Sequence, residues 1–371
     1  MNQMSQQGLL EYSVVYTDRA LNHMSAAFQD VMKELSAILK ETYRAHSAIL
    51  VPGGGTFGME AVARQFAGGR KCLVIRNGWF SYRWSQIFEA GSIPSETMVL
   101  KARPVTAGNR APFAPAPIEE VVEAIRTHKP ELVFAPHVET ASGMMLPDAY
   151  LKAVAEAVHA AGGLFVLDCI ASGTIWVDMA ALGVDVLISA PQKGWSGPPC
   201  GAFVMLNAHA RERIETTVST SFAADLRKWL QILETYEKGG HAYHATPPTD
   251  ALAAAVRAMR ETRDWGLENA RNAQAELGRR VRDLLEGRGF PSVAAEGFQA
   301  PGVVVSYTDD PDIQSGRKFI AQGLQTAAGV PLMCDEPADF RTFRIGLFGL
   351  DKLQHIERTV QRLEEALGRI G

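Results

Sequence analysis

The sequence predicts an α/β fold, a large domain on a mainly parallel sheet followed by a smaller α/β domain. Three observations predict it. Short apolar, β-branched runs recur through the first two-thirds of the chain, amphipathic helical spacings separate them, and from Thr249 onward the pattern changes to long helices rich in Ala, Arg and Glu. At 371 residues the chain exceeds what a single core usually supports, so two domains are expected.

Seven runs read as strands: 48–51, 72–76, 97–100, 131–135, 164–168, 184–189 and 202–206. They are apolar throughout, with no in-out alternation, which is the pattern of a parallel sheet covered on both faces. Between them, 118–127 and 148–161 have helical spacing, and Gly162-Gly163 stops the second. Thr249 is placed as an N-cap, with helices over 251–261 and 267–286, the latter ended by Gly287. Strands at 302–307 and 342–345 and a closing helix at 353–367 complete the chain. The expected division is an N-terminal arm over 1–14, a large domain over 15–265 and a small domain over 266–371.

Composition narrows the function. Hydrophobic residues make up 47% and charged residues 21%, as in an ordinary globular protein, and a net charge of −4 gives no reason to expect nucleic acid or an anionic membrane. A small-molecule partner is expected. Cys72, Cys169, Cys200 and Cys334 are scattered and form no C-x-x-C pair, so neither zinc site nor disulfide framework is indicated. The start of the chain lacks the basic end and apolar run of a signal peptide, and no stretch is apolar enough to span a bilayer. A cytoplasmic protein without a metal is the expectation.

Ligands of an open parallel sheet bind beyond the carboxyl ends of its strands. Five such places carry chemistry. Pro52-Gly53-Gly54-Gly55-Thr56-Phe57-Gly58 sits between a strand and a helix, where backbone N–H groups and the helix dipole suit a phosphate. A tight strand-to-helix turn would carry the same residues, and Gly53-x-Gly55-x-x-Gly58 also fits a dinucleotide fingerprint. Asp168 ends a buried strand, where a carboxylate needs a cationic partner such as a protonated pyridine nitrogen, although loop-capping aspartates are common. Lys193, in Ser189-Ala190-Pro191-Gln192-Lys193-Gly194, lies in an apolar turn where desolvation makes an amine nucleophilic toward an aldehyde. Pro136-His137-Val138-Glu139-Thr140-Ala141-Ser142-Gly143 concentrates hydroxyls with a carboxylate, and its His137 reads as a satisfied core residue. Asn77-Gly78-Trp79-Phe80 brings two aromatics that could stack on a flat ring or simply fill core.

Together these segments resemble the fold-type I pyridoxal-phosphate enzymes, specifically the class V aminotransferases that include alanine–glyoxylate, serine–pyruvate and 2-aminoethylphosphonate–pyruvate transaminases. The likeness runs from about Ala48 to the C-terminus and is most specific from Phe165 to Met205. It implies pyridoxal 5′-phosphate as cofactor, with Gly54, Gly55, Thr56 and Gln192 at its phosphate and Phe80 and Ile170 on its ring faces. Thr140 would reach its phenolic oxygen, Asp168 its ring nitrogen, and Lys193 would hold it as a Schiff base. Tyr243-His244-Ala245-Thr246 matches a segment through which, in the family, an aromatic and a threonine reach the neighbouring subunit's phosphate, so Tyr243 and Thr246 imply a homodimer. Arg344, in Thr342-Phe343-Arg344-Ile345-Gly346, would bind a substrate carboxylate. The family's Gly-Pro-Gly segment near the start is replaced here by Glu11-Tyr12-Ser13-Val14-Val15-Tyr16-Thr17, which leaves substrate choice open.

The implied activity is transamination of a small amino acid or aminophosphonate, with pyruvate or glyoxylate as acceptor and Lys193 carrying the proton. Three other readings compete. A lyase of the same fold, of cysteine desulfurase or kynureninase type, would need a mobile cysteine. An NADP-dependent oxidoreductase would use Gly53-x-Gly55-x-x-Gly58 with Arg76 near a 2′-phosphate, leaving Asp168, Lys193 and Arg344 without a role. A non-catalytic binding protein on this fold would have no use for both Lys193 and Asp168.

Overall fold

The computed structural model describes residues 9–370, so residues 1–8 of the expected N-terminal arm lie outside the described residues. All seven expected strands form one sheet: β1 (Ser47–Pro52), β2 (Lys71–Arg76), β3 (Glu96–Lys101), β4 (Leu132–Pro136), β5 (Leu164–Asp168), β6 (Val186–Ser189) and β7 (Gly201–Leu206). Their order is β1-β7-β6-β5-β4-β2-β3. Only β7 runs against its neighbours; the pairs β6–β5, β5–β4, β4–β2 and β2–β3 are all parallel. Every residue of β4, β5, β6 and β7 is buried, which is why these strands read as unbroken apolar runs.

Helices cover both faces: α1 (Ala26–Tyr43), α2 (Gly55–Phe66), α3 (Trp79–Gly91), α4 (Ile118–His128), α5 (Asp148–Ala160) and α6 (Leu226–Glu237). Helical spacing in the sequence predicts α4 and α5 but does not delimit α1, α3 or α6. α5 stops where expected, Gly162 taking φ 77 and donating to His159 O. α7 (Thr249–Trp265) differs in one detail. Thr249 is its first helical residue and is itself buried, and the cap position is Pro248, with no side-chain cap. Gly266 at φ 106 then breaks the chain before α8 (Leu267–Gly287).

Beyond α8 a three-stranded sheet is ordered β8-β10-β9, from β8 (Val303–Tyr307), β9 (Ala327–Ala328) and β10 (Thr342–Gly346). The expected closing helix is two pieces, Leu350–Gln354 and then α9 (Ile356–Ile370). α8, α9 and β10 share an apolar cluster around Leu277, Val281, Phe343, Leu363 and Leu367. A further cluster, holding Val138, Ala141 and Met144 together with Val303, Val305 and Leu332, seats this C-terminal sheet beside the carboxyl edge of the large one.

Candidate active site

The strand register sets the site. Asp168 at the end of β5 lies opposite Pro136 of β4 and Ile188 of β6, so these strands finish level with one another. The segments leaving their carboxyl ends therefore meet along one edge. Gly55 and Thr56 after β1, Phe80 after β2, Thr140 after β4, Asp168 and Ile170 from β5, and Gln192 and Lys193 after β6 line one cavity of about 130 Å³. Gly54 adjoins them as the cap residue of α2.

Lys193 is placed by contact between two backbones. A Cβ on Gly194 would stand 2.0 Å from the carbonyl oxygen of Gly173, so the turn after Lys193 packs against that loop only because residue 194 is glycine. The Lys193 Nζ lies 5.4 Å from the centre of the Phe348 ring, and burial pulls its pKa below the usual lysine value against the attraction of Asp168 and Glu139. Asp168 is 7% exposed, and its carboxylate accepts Ile170 N–H at 2.9 Å. Burial pushes its pKa up to about 6, against the pull of that bond and of Lys193. A buried carboxylate with one short hydrogen bond, open to a cavity that an amine shares, fits a small heterocycle with a cationic nitrogen at one end and an aldehyde at the other.

Phe80 is held by a device the sequence did not disclose. Glu139 is fully buried and accepts the N–H of Phe80 at 3.2 Å, of Ser81 at 2.8 Å and of Ala141 at 3.0 Å, together with the Ser81 hydroxyl at 2.7 Å. One carboxylate thus caps α3 and fixes the entry of the aromatic ring into the cavity. Two guanidinium groups approach that ring: Arg83 at 5.2 Å and Arg344 at 5.5 Å from its centre. Arg344 Nε donates to Ala328 O at 2.8 Å across β9 and β10, and burial lowers its pKa while Glu139 raises it. Arg83 lines the cavity beside Met59, Val138 and Ala171, and sequence reasoning gave none of the four a role in the site. Helical spacing could have found Arg83, three residues beyond Phe80 on one face of α3.

Tyr243 and Thr246 are not brought to this cavity within the chain. Their hydroxyls bond to each other at 2.8 Å, and Tyr243, about half exposed, lines a separate groove with Phe222, Asp225 and His244. His137 bonds Ser172 through Nδ1 at 2.7 Å while its backbone N–H reaches Asp168 O at 2.8 Å. Burial, with a smaller contribution from Arg271, drops its pKa to about 4, so it stands as a neutral brace behind Asp168.

The competing readings lose their residues. Gly53 takes φ 121, and a Cβ on Gly58 would stand 2.5 Å from the Ala202 methyl, so turn geometry and the approach of α2 to β7 account for the glycine pattern. Arg76 is buried and spends its guanidinium on Met333 O and Ser85 Oγ, away from any 2′-phosphate. All four cysteines are buried, and burial pushes their thiols up, Cys200 to about 11 and Cys72 and Cys334 to about 12. None is a mobile nucleophile of the desulfurase kind.

Comparison with known proteins agrees with this geometry. Residues 3–320 match the family model described as aminotransferase class-V. A 2-aminoethylphosphonate–pyruvate transaminase of Syntrophobacter fumaroxidans is 28% identical over 94% of this chain and 89% of its own. A Synechococcus protein named as the small subunit of a soluble hydrogenase is 25% identical over 95% of this chain and 88% of its own. The crystal structure of an alanine–glyoxylate aminotransferase from Nostoc superposes with a TM-score of 0.79 at 21% identity, covering 94% of this chain and 89% of that one. That likeness is one of fold, and the fold is type I. A family match spanning most of the chain, on a sheet whose carboxyl edge gathers a buried aspartate and a desolvated lysine, places this protein in the class-V aminotransferase family, as a pyridoxal-phosphate-dependent aminotransferase.

Proposed function

We propose that the enzyme transfers the amino group of a small amino acid or aminophosphonate to pyruvate or glyoxylate, with pyridoxal 5′-phosphate held covalently by Lys193. The observation that carries this reading is the convergence of Lys193 and Asp168 on one cavity with Phe80 and Ile170. Asp168 binds the ring nitrogen and keeps it protonated, while Thr140 reaches the phenolic oxygen. Gly54, Gly55, Thr56 and Gln192 receive the phosphate. Arg344 takes the donor's carboxylate or phosphonate, turning the donor's Cα–H toward Lys193. Displaced from the cofactor by the donor's amine, Lys193, its pKa lowered by burial, would accept the Cα proton and deliver it to the cofactor's aldehyde carbon. When bound, the cofactor supplies the electron sink for the pair left at Cα. The substrates named for the transaminase relatives support a small anionic donor.

Tyr243 and Thr246 are assigned to the neighbouring subunit's phosphate in a homodimer. Support comes from large apolar side chains left on the surface of one chain, Tyr12, Val14, Val218 and Phe222. The division into an arm, a large domain to residue 265 and a small domain from 266 rests on the break at Gly266 and the separate C-terminal core. Four unpaired thiols suit a reducing cytoplasm, and no helix among the described residues is long and apolar enough to cross a membrane.

The test is borohydride reduction of the purified enzyme followed by peptide mass analysis, with a panel of amines offered to the oxidised form. Cofactor mass on the Lys193 peptide is expected, as is loss of transamination in a folded Lys193→Ala variant. Full activity in that variant would refute the assignment.

A further inference from the structure

We propose that Arg83 is a ligand of the cofactor's phosphate, an inference that rests on the cofactor reading above. Arg83 Nη1 donates to Thr56 Oγ1 at 2.9 Å, which brings the guanidinium to the first turn of α2. That turn is short of acceptors. Its cap residue, Gly54, has no side chain to offer, and among the described residues no acceptor takes the N–H of Gly55 or Thr56. Two free amides at the positive end of a 12-residue helix and a guanidinium tethered to the same turn make a donor set for a multiply charged oxyanion. No carboxylate among the described residues pairs with Arg83, although it lines the same cavity as Asp168 and Lys193. An unpaired cation at a cavity wall beside a helix N-terminus is a standing charge that a phosphate ester would neutralise.

The geometry also separates the two arginines. Arg344 is tied by Nε to Ala328 on the C-terminal sheet, and Arg83 is tied by Nη1 to Thr56 in α2 of the large domain, although both approach the Phe80 ring, at 5.5 Å and 5.2 Å from its centre. A ring stacked on Phe80 would carry its phosphate toward Arg83 and leave Arg344 for the substrate's acid group. Arg83 therefore holds the cofactor and does not select the donor.

The experiment compares binding of pyridoxal 5′-phosphate with that of pyridoxal, which lacks the phosphate, to the full chain freed of cofactor. Wild type, Arg83→Gln and Arg83→Lys are titrated, monitoring the absorbance of the lysine-bound form. In wild type the phosphate ester is expected to bind far more tightly than pyridoxal. Arg83→Gln should weaken the phosphate ester by about 10- to 100-fold and leave pyridoxal within about twofold, with Arg83→Lys between. Pyridoxal binding in the same variant reports that it is folded. A Gln variant keeping the wild-type ratio of the two affinities overturns the proposal, whether or not donor KM changes. A raised donor KM at an unchanged ratio would move Arg83 to the substrate. Wild-type protein that binds neither compound would overturn the cofactor reading itself.

Discussion

At the scale of single residues, Asp168 carries a cost that the folded protein accepts for function. Burial raises its pKa to about 6, so the fold holds the carboxyl proton more tightly than the unfolded chain does. Its contribution to stability is therefore fully present below about pH 4, the unfolded value, and is lost as pH rises through 6. Cofactor-free Asp168→Asn keeps an acceptor for Ile170 N–H and removes the charge. It should match wild type near pH 4 and exceed it by on the order of 2–3 kcal/mol at pH 7, measured by urea unfolding at each pH. Equal stabilities at both pH values would mean that the carboxylate is well solvated. Arg344 gives the other prediction at this scale. Its Nε is engaged with Ala328 O, leaving the outer nitrogens for an acid group. Arg344→Ala is expected to lower kcat/KM by about 10- to 100-fold, chiefly through KM, for every carboxylate donor. Steady-state kinetics with an unchanged KM would make the residue structural.

At the scale of elements, the carboxyl edge of the sheet and the helices that spring from it divide what the sequence disclosed from what it concealed. Strands β4 to β7 were legible because each is buried on both faces, and the places after them were legible because ligand chemistry collects at strand ends. Asp168 and Lys193 stand out in this way. α3 was not legible, because it opens with Trp79-Phe80-Ser81-Tyr82, residues of ordinary to weak helix preference, and its start depends on a carboxylate from another segment. Glu139 belongs to a recognisable motif, yet its work is visible only when β2 and β4 lie side by side and bring its oxygens to Phe80 and Ser81. Glu139→Ala would strand three amides in a buried site, while the Ser81 hydroxyl keeps Gly78 O as an acceptor at 3.0 Å. A loss on the order of 3 kcal/mol is expected from thermal or urea unfolding, together with weaker cofactor binding as Phe80 loosens. Unfolding within about 1 kcal/mol of wild type would show that α3 starts without this cap.

At the scale of the whole molecule, the cavity of one chain is furnished by that chain's strand ends, while Tyr243 lines a groove elsewhere and Thr246 is bonded to its hydroxyl. If they serve the neighbouring subunit, each active site of the dimer combines Lys193 of one copy with the Tyr243 and Thr246 hydroxyls of the other. Two inactive variants should then rescue each other. A Lys193→Ala chain paired with a Tyr243→Phe/Thr246→Val chain forms one site lacking both contributions and one site with both intact. Random reassortment of equal amounts should place half the chains in mixed dimers with one working site each, restoring about one quarter of wild-type activity. Each variant alone, mixed only with itself, should stay near its own low level. Activity in the mixture that merely averages the two parents, while mixed dimers are confirmed by native mass spectrometry, would mean that Tyr243 and Thr246 act within their own chain or not at all. Because the rescue needs an intact Lys193 on one copy and the intact hydroxyl pair on the other, it separates a shared site from a dimer that is only a means of covering apolar surface.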